Sequence, residues 1–256
     1  MSETWHIGVI GGSGLAAGIG IDNAQEIAVS SPFGAPSGAV TTGTVEGVRF
    51  TFLPRHGPGH AIPPALVNYR ANIDALKRAG VTDLISISAC GSFKAELAPG
   101  TFVLVDQYVD RTWGRAATFF GDGCVAHVSM AHPVAPNLVA RIHAAARAED
   151  IACVKGGTYV CMEGPQFSSQ AESFGYKAQG FDVIGMTAMP EAKLAREAEI
   201  SYATISMVTD FDCWHPDHDA VDVASVIMTV HENAEKASRL IARVLRDFPG
   251  DHEPCP

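Results

Sequence analysis

Thr209-Asp210-Phe211-Asp212 carries two carboxylates two positions apart, directly after an apolar run. On an extended backbone residues i and i+2 share a side, so Asp210 and Asp212 are expected to face one ligand together. Like charges that close repel, so one carboxyl should keep its proton above the usual range and serve as a general acid; a capping or solvated Asp pair is the plainer alternative. Pro54-Arg55-His56-Gly57-Pro58-Gly59-His60 places a permanent cation and two histidines among glycines. Arg55 offers a planar fork of N–H donors to an oxyanion, and the glycines let the backbone close around it; otherwise it is an exposed basic loop. In Gly11-Gly12-Ser13-Gly14, backbone N–H groups and the Ser13 hydroxyl are open to a phosphate, or form a tight turn with no ligand. Ser86-Ile87-Ser88-Ala89-Cys90-Gly91-Ser92 puts hydroxyls and small side chains where α/β strands end and ligands bind. Taken alone, that run reads better as a small-residue turn.

Positioning these groups requires strands that end near one another. Short aliphatic runs alternate with Ala-rich helical stretches, the pattern of an α/β fold. Strands are expected at 5–10, 40–45, 49–53, 84–88, 102–105, 157–162 and 202–208, with a hairpin turn at Glu46-Gly47. Helical spacing predicts helices at 64–78, 136–149, 169–179, 190–197 and 222–246. Residues 108–131 show no clear period, and a loop that long in a compact domain usually carries a site or interface. With no repeat or linker, 1–256 is expected to be one domain with a frayed tail at 249–256.

Composition narrows the function. The 256 residues are 47% hydrophobic, and 18 Lys+Arg against 28 Asp+Glu leave a net charge of -10. Such a surface repels nucleic-acid phosphates, and no apolar run reaches membrane-spanning length. No basic leader opens the chain and its six cysteines form no C-x-x-C pair, so a cytoplasmic protein with reduced thiols and no zinc site is expected. His215-Pro216-Asp217-His218-Asp219 reads as a solvated loop, because Pro216 breaks the register that would converge its ligands. Cys90 has no neighbouring base to make it a nucleophile. Gly12 to Ala17 fits a relaxed dinucleotide fingerprint, yet no acidic residue follows at the ribose position. A dinucleotide-dependent oxidoreductase and a non-catalytic nucleoside-binding protein are therefore the alternatives from other classes.

Several motifs in fixed order resemble those of the trimeric purine nucleoside phosphorylase family: residues 7–14, Arg55 to His60, Asn68-Tyr69-Arg70-Ala71-Asn72, Ala89 to Ser92, Glu163-Gly164-Pro165-Gln166-Phe167, Gly185 to Glu191, and Thr209 to Asp212. The resemblance implies a single α/β domain with a central mixed β-sheet flanked by helices. It also implies a homotrimer that cleaves N-glycosidic bonds with inorganic phosphate, a co-substrate, and needs no metal or organic cofactor. Ser13, Arg55, His56, Ser88 and Thr187 would surround phosphate. Ala89, Cys90, Gly91, Ile184, Met186 and Thr209 would line ribose and base, with Phe167 stacked on the purine. Val223, Val226, Ile227 and His60 would form an apolar pocket at the 5′ position, closed by His127 of a neighbouring subunit. Asp210 would protonate N7 of the purine and Asp212 accept from its exocyclic amine. A carboxylate near C6 favours the amino over the oxo purine. Relatives that act on 6-oxopurines carry Asn in place of Asp210 and Glu in place of Ser168, whereas Gly185 is what inosine-cleaving relatives have where the others carry Asn. The expected reaction is phosphorolysis of 5′-methylthioadenosine to adenine and 5-methylthioribose 1-phosphate, with adenosine or methylthioinosine as the nearest other substrates.

Overall fold

Two apolar runs make the centre of the sheet. Strands β5 (Asp83–Ser92) and β11 (Ser201–Asp210) are buried along nearly their whole length, as strands covered on both faces must be. They pair in parallel from Ser201↔Asp83 to Asp210↔Gly91. The computed structural model describes residues 4–12, 14–121, 123–216 and 223–248. On the other side of β5 lies β1 (His6–Gly11), which also pairs in parallel with β4 (Val48–Pro54). β3 (Val40–Val45) turns back into β4 through Glu46 and Gly47 at φ 51° and 79°, the doubly left-handed turn whose twist suits a two-residue hairpin. β2 (Asp22–Ile27) forms the edge beyond β3. Past β5 come β10 (Val183–Gly185), β9 (Thr158–Met162) and β7 (Gln107–Arg111), while β6 (Phe102–Leu104) and β8 (Cys153–Lys155) extend from β11. The result is the expected mixed sheet.

Helices cover both faces. On one, α1 (Leu15–Ile19), α3 (Pro136–Ala148) and α6 (Val223–Arg246) bury Leu15, Ile142 and Ile241 against Phe50, Ile85 and Ile205. On the other, α2 (Tyr69–Arg78) and α5 (Ala188–Glu197) pack Ile73, Leu76 and Leu194 against Leu53 and Leu84. A smaller cluster of Phe93, Val160, Phe181 and Ile184 sits beside α4 (Gln170–Ala178), which starts from a capping box between Ser169 and Glu172. No described helix is long and apolar enough to cross a membrane.

The structure corrects several boundaries. The helix expected over 64–78 is interrupted: Pro64–Leu66 is a single 3₁₀ turn and Val67 is extended. Helix α2 begins at Tyr69 because the Asn68 side chain accepts the Ala71 N–H. Part of the segment expected to be irregular is strand β7, and the described residues of 112–131 are indeed without helix or strand. Strands β2, β8 and β10 were not expected. The tail 249–256 lies outside the described residues.

Burial also sets an acid limit on the fold. His6 is 1% exposed in β1, its Nε2 2.7 Å from Thr51 Oγ1. Burial, and secondarily the Arg49 charge, lower its pKa from 6.5 to about 4. The unfolded chain thus binds a proton near pH 6.5 that the folded one refuses until about pH 4, so this stability is complete above that window and lost as pH falls through it. The urea midpoint should fall between those limits, less steeply in His6→Gln. Equal slopes would place the titrating group elsewhere.

Candidate active site

At Gly91 the sheet divides. This residue pairs with Asp210 of β11 and, antiparallel, with Ile184 of β10. Where strands diverge at their carboxyl ends a crevice opens, and here it is a cavity of about 570 Å³. It gathers Arg55, His56 and His60 from beyond β4, Ser88 to Gly91 from β5, Ile184, Met186 and Thr187 from β10 onward, Phe167, and Thr209, Asp210 and Asp212. Backbone from Gly12 and Gly14 joins them, whereas Ser13 lies outside the described residues. So do the side chains of Val223, Val226 and Ile227; α6 reaches the cavity through Val230, His231 and Ala234. His127 is exposed and does not line this cavity. A larger cavity of about 890 Å³, near Lys77, Phe120 and Arg196, shares none of these residues.

Arg55 is not the free cation that its loop suggested. Its Nε and Nη2 donate to Glu191 at 2.7 and 3.0 Å, with side chains 2% and 0% exposed. Nη2 also reaches Ser86 Oγ, and Nη1 donates to Ile87 O. Glu191 in turn accepts from Ser86 and Tyr202 at 2.6 and 2.9 Å. Burial opposes the guanidinium charge, but the Glu191 carboxylate outweighs it and holds the proton more firmly than in water. The second Nη1 N–H is the donor left without a partner among the described residues. His56 is no cation either. Burial, then the Arg55 charge, lower its pKa to about 4. Its Nδ1 lies 2.8 Å from Ile62 O, and because a carbonyl only accepts, Nδ1 carries the hydrogen and Nε2 a lone pair. Neutral donors complete this wall: Ser88 Oγ and Thr187 Oγ1 stand 3.1 Å apart, and Thr187 spends no side-chain bond on capping α5.

The carboxylates converge, though not by sharing an extended strand. The β11 register shifts after Val208, and Asp212 turns left-handed at φ 52°. That turn lets the Asp212 N–H donate to Asp210 Oδ1 at 2.8 Å, while Thr209 Oγ1 donates to Oδ2 at 2.7 Å. Asp212 is 4% exposed and its Oδ2 has no hydrogen-bond partner among the described residues. Burial raises its pKa, with the Ser173 hydroxyl opposing and the Asp210 charge adding. The proton-retaining carboxyl is therefore Asp212. A Cβ on Gly91 would stand 2.9 Å from Asp210 Oδ1, so only glycine leaves this end of the cavity open. Cys90 is no nucleophile: burial, then the Asp210 charge, push its thiol well above the usual range.

Sequence reasoning overlooked an Arg115–Glu163 pair. Arg115 Nε donates to Glu163 Oε1 at 2.8 Å and Nη2 to Glu163 O, while Nη1 is shared by Tyr69 Oη, Met186 O and Met189 O. The other Glu163 oxygen accepts from the Trp113 N–H. One guanidinium thus ties the irregular loop to the segment leading to Phe167 and to Met186. The only cue was an Arg inside that unpatterned loop.

Known proteins resemble this chain over nearly its whole length. The phosphorylase superfamily profile matches residues 6–248. S-methyl-5′-thioadenosine phosphorylase of Bradyrhizobium diazoefficiens is 64% identical over 250 residues, covering 98% of this chain and 86% of the relative. The Rhodospirillum rubrum protein of that name is 55% identical, covering 97% and 87%. Among solved structures, methylthioadenosine phosphorylase from an antarctic soil metagenomic library superposes with a TM-score of 0.90 at 48% identity, covering 94% of this chain and 85% of that one. Methylthioadenosine phosphorylase from Schistosoma mansoni in complex with adenine gives 0.88 at 38% identity, covering 94% and 91%. The chain belongs to the phosphorylase superfamily, within the family of S-methyl-5′-thioadenosine phosphorylases.

Proposed function

We propose that this chain cleaves 5′-methylthioadenosine with inorganic phosphate, releasing adenine and 5-methylthioribose 1-phosphate. The observation that carries the reading is a pair of carboxyls, half-buried Asp210 and buried Asp212, in one cavity with a wall of hydroxyl and guanidinium donors. As the C1′–N9 bond breaks, its electrons pass to the purine and C1′ becomes cationic. Phosphate beneath the sugar stabilises that cation and bonds to C1′. Asp212, desolvated beside a second carboxyl, keeps a proton above the usual carboxylate range. Asp210, the more exposed of the two, donates a proton to N7, and Asp212 accepts from the exocyclic amine directly or through water. Asp210 recovers its proton from solvent after adenine leaves.

Phosphate is held by Ser88, Thr187, the free Arg55 N–H, Ser13 and His56, the last as an acceptor for a protonated phosphate oxygen. Met186 contacts ribose through its side chain and N–H, since its carbonyl serves Arg115. Phe167, 47% exposed at the cavity, stacks on the purine, while Ala89, Cys90, Gly91, Ile184 and Thr209 shape the ribose and base site. His60 and the first turns of α6, including Val223, Val226 and Ile227, meet the methylthio group. No metal or organic cofactor enters any step. Exposure of His127, Trp113 and Val125 on the irregular loop supports a homotrimer in which His127 closes a neighbour's site. Free cysteines suit the cytoplasm.

A substrate panel tests this specificity. Methylthioadenosine should be turned over faster than adenosine, and inosine and methylthioinosine scarcely at all; hypoxanthine release alone would overturn the roles given to Asp210 and Asp212. His127→Ala should raise KM about tenfold for methylthioadenosine and much less for adenosine. Equal changes would remove His127 from the 5′ pocket.

A further inference from the structure

Tyr159 carries a hydroxyl that the ligand-free protein does not use. The residue is 0% exposed in β9, and its Oη has no hydrogen-bond partner among the described residues. An unpaired buried hydroxyl is destabilising, and phenylalanine would fill the same space without it. The space around it is reserved. A Cβ on Gly185 would lie 1.9 Å from Tyr159 Oη and 2.6 Å from Cζ, although no positive φ requires glycine there. Gly185 is thus glycine to admit the phenol. Gly185, against which the hydroxyl packs, lines the cavity two residues before Thr187, and the polar groups that act on the phenol are the Ser88 side chain and the Thr187 backbone, the wall assigned above to phosphate.

In the ligand-free protein Ser88 Oγ donates to Ala89 O at 3.0 Å and stands 3.1 Å from Thr187 Oγ1. When an oxyanion arrives, the hydrogens of Ser88 and Thr187 turn towards it, and the Ser88 oxygen is left as an acceptor without a donor. We propose that Tyr159 is a positioning residue for phosphate: its O–H donates to Ser88 Oγ in the bound state and aims the Ser88 hydrogen at the anion. This rests on the phosphate site proposed above. The proton of Tyr159 stays on its oxygen throughout, because burial raises the phenol's pKa far beyond working pH.

Tyr159→Phe deletes one oxygen. The expected result is an apparent KM for phosphate raised about tenfold, the value of one hydrogen bond, with the nucleoside KM within about twofold and Tm unchanged or higher. An unchanged phosphate KM, or equal rises in both constants, overturns the proposal. Phosphate binding by calorimetry separates the two readings: wild type that binds no phosphate defeats the site itself, whereas wild type and Tyr159→Phe binding equally defeat only the role of Tyr159. Gly185→Ala should unfold or aggregate, and Tyr159→Leu in the same chain should restore the fold but not the phosphate affinity. Normal folding of Gly185→Ala beside an intact Tyr159 would overturn the interlock.

Discussion

Asp210→Asn is expected to slow phosphorolysis of 5′-methylthioadenosine by ~10²–10⁴-fold, the usual worth of a positioned general acid, while leaving phosphate affinity and Tm near wild type. The asparagine carbonyl still accepts the Asp212 N–H that now reaches Asp210 Oδ1, so the turn at the end of β11 survives. What is lost is the transferable proton. A nucleoside whose leaving group needs no protonation distinguishes a missing acid from a distorted site: the variant should turn it over at nearly the wild-type rate. Equal losses on both substrates would assign Asp210 a binding role instead.

Arg55→Ala should produce the largest loss of stability. Among the described residues the substitution leaves Glu191, 0% exposed, with donors only from Ser86 and Tyr202. Breaking a buried ion pair from one side costs about 3–5 kcal/mol, roughly 10 °C in Tm for a chain of this size. The phosphate KM of whatever remains folded would be a secondary reading. Arg55→Lys separates the two roles, because a lysine keeps a charge opposite Glu191 without the planar fork. It should retain most of the stability and still need more phosphate. Should Arg55→Ala melt with wild type, the pair with Glu191 is not what holds α5 against β4 and β5.

The legibility of these features in the sequence follows from how local each one is. Strands β5 and β11 are buried on both faces, so their apolar runs stand out, and the Glu46-Gly47 turn is announced by residue types that tolerate φ above zero. Strand β2 is polar and exposed through most of its length and pairs on one side only, leaving no alternation to detect. β8 and β10 span three residues each, too short for any period. At the site, glycines and hydroxyls at strand ends were readable because their placement depends on one strand at a time. The partners were not: Arg55 and Glu191 are 136 residues apart, Arg115 and Glu163 48 apart, and nothing within either local stretch marks it as the other's counter-ion. Asp210 and Asp212 were found for a reason that failed, since a left-handed turn at Asp212, not a shared strand face, brings them together.

The most direct test follows the fate of C1′. Purified enzyme is given 5′-methylthioadenosine with and without inorganic phosphate, adenine is quantified by chromatography, and the sugar product is identified by phosphorus NMR. Adenine release that depends on phosphate, with one equivalent of 5-methylthioribose 1-phosphate formed per adenine, is the predicted result. Adenine release at the same rate without phosphate, yielding free methylthioribose, would mean that water rather than phosphate captures the sugar, and would contradict the assignment of the Ser88–Thr187 wall to the attacking anion.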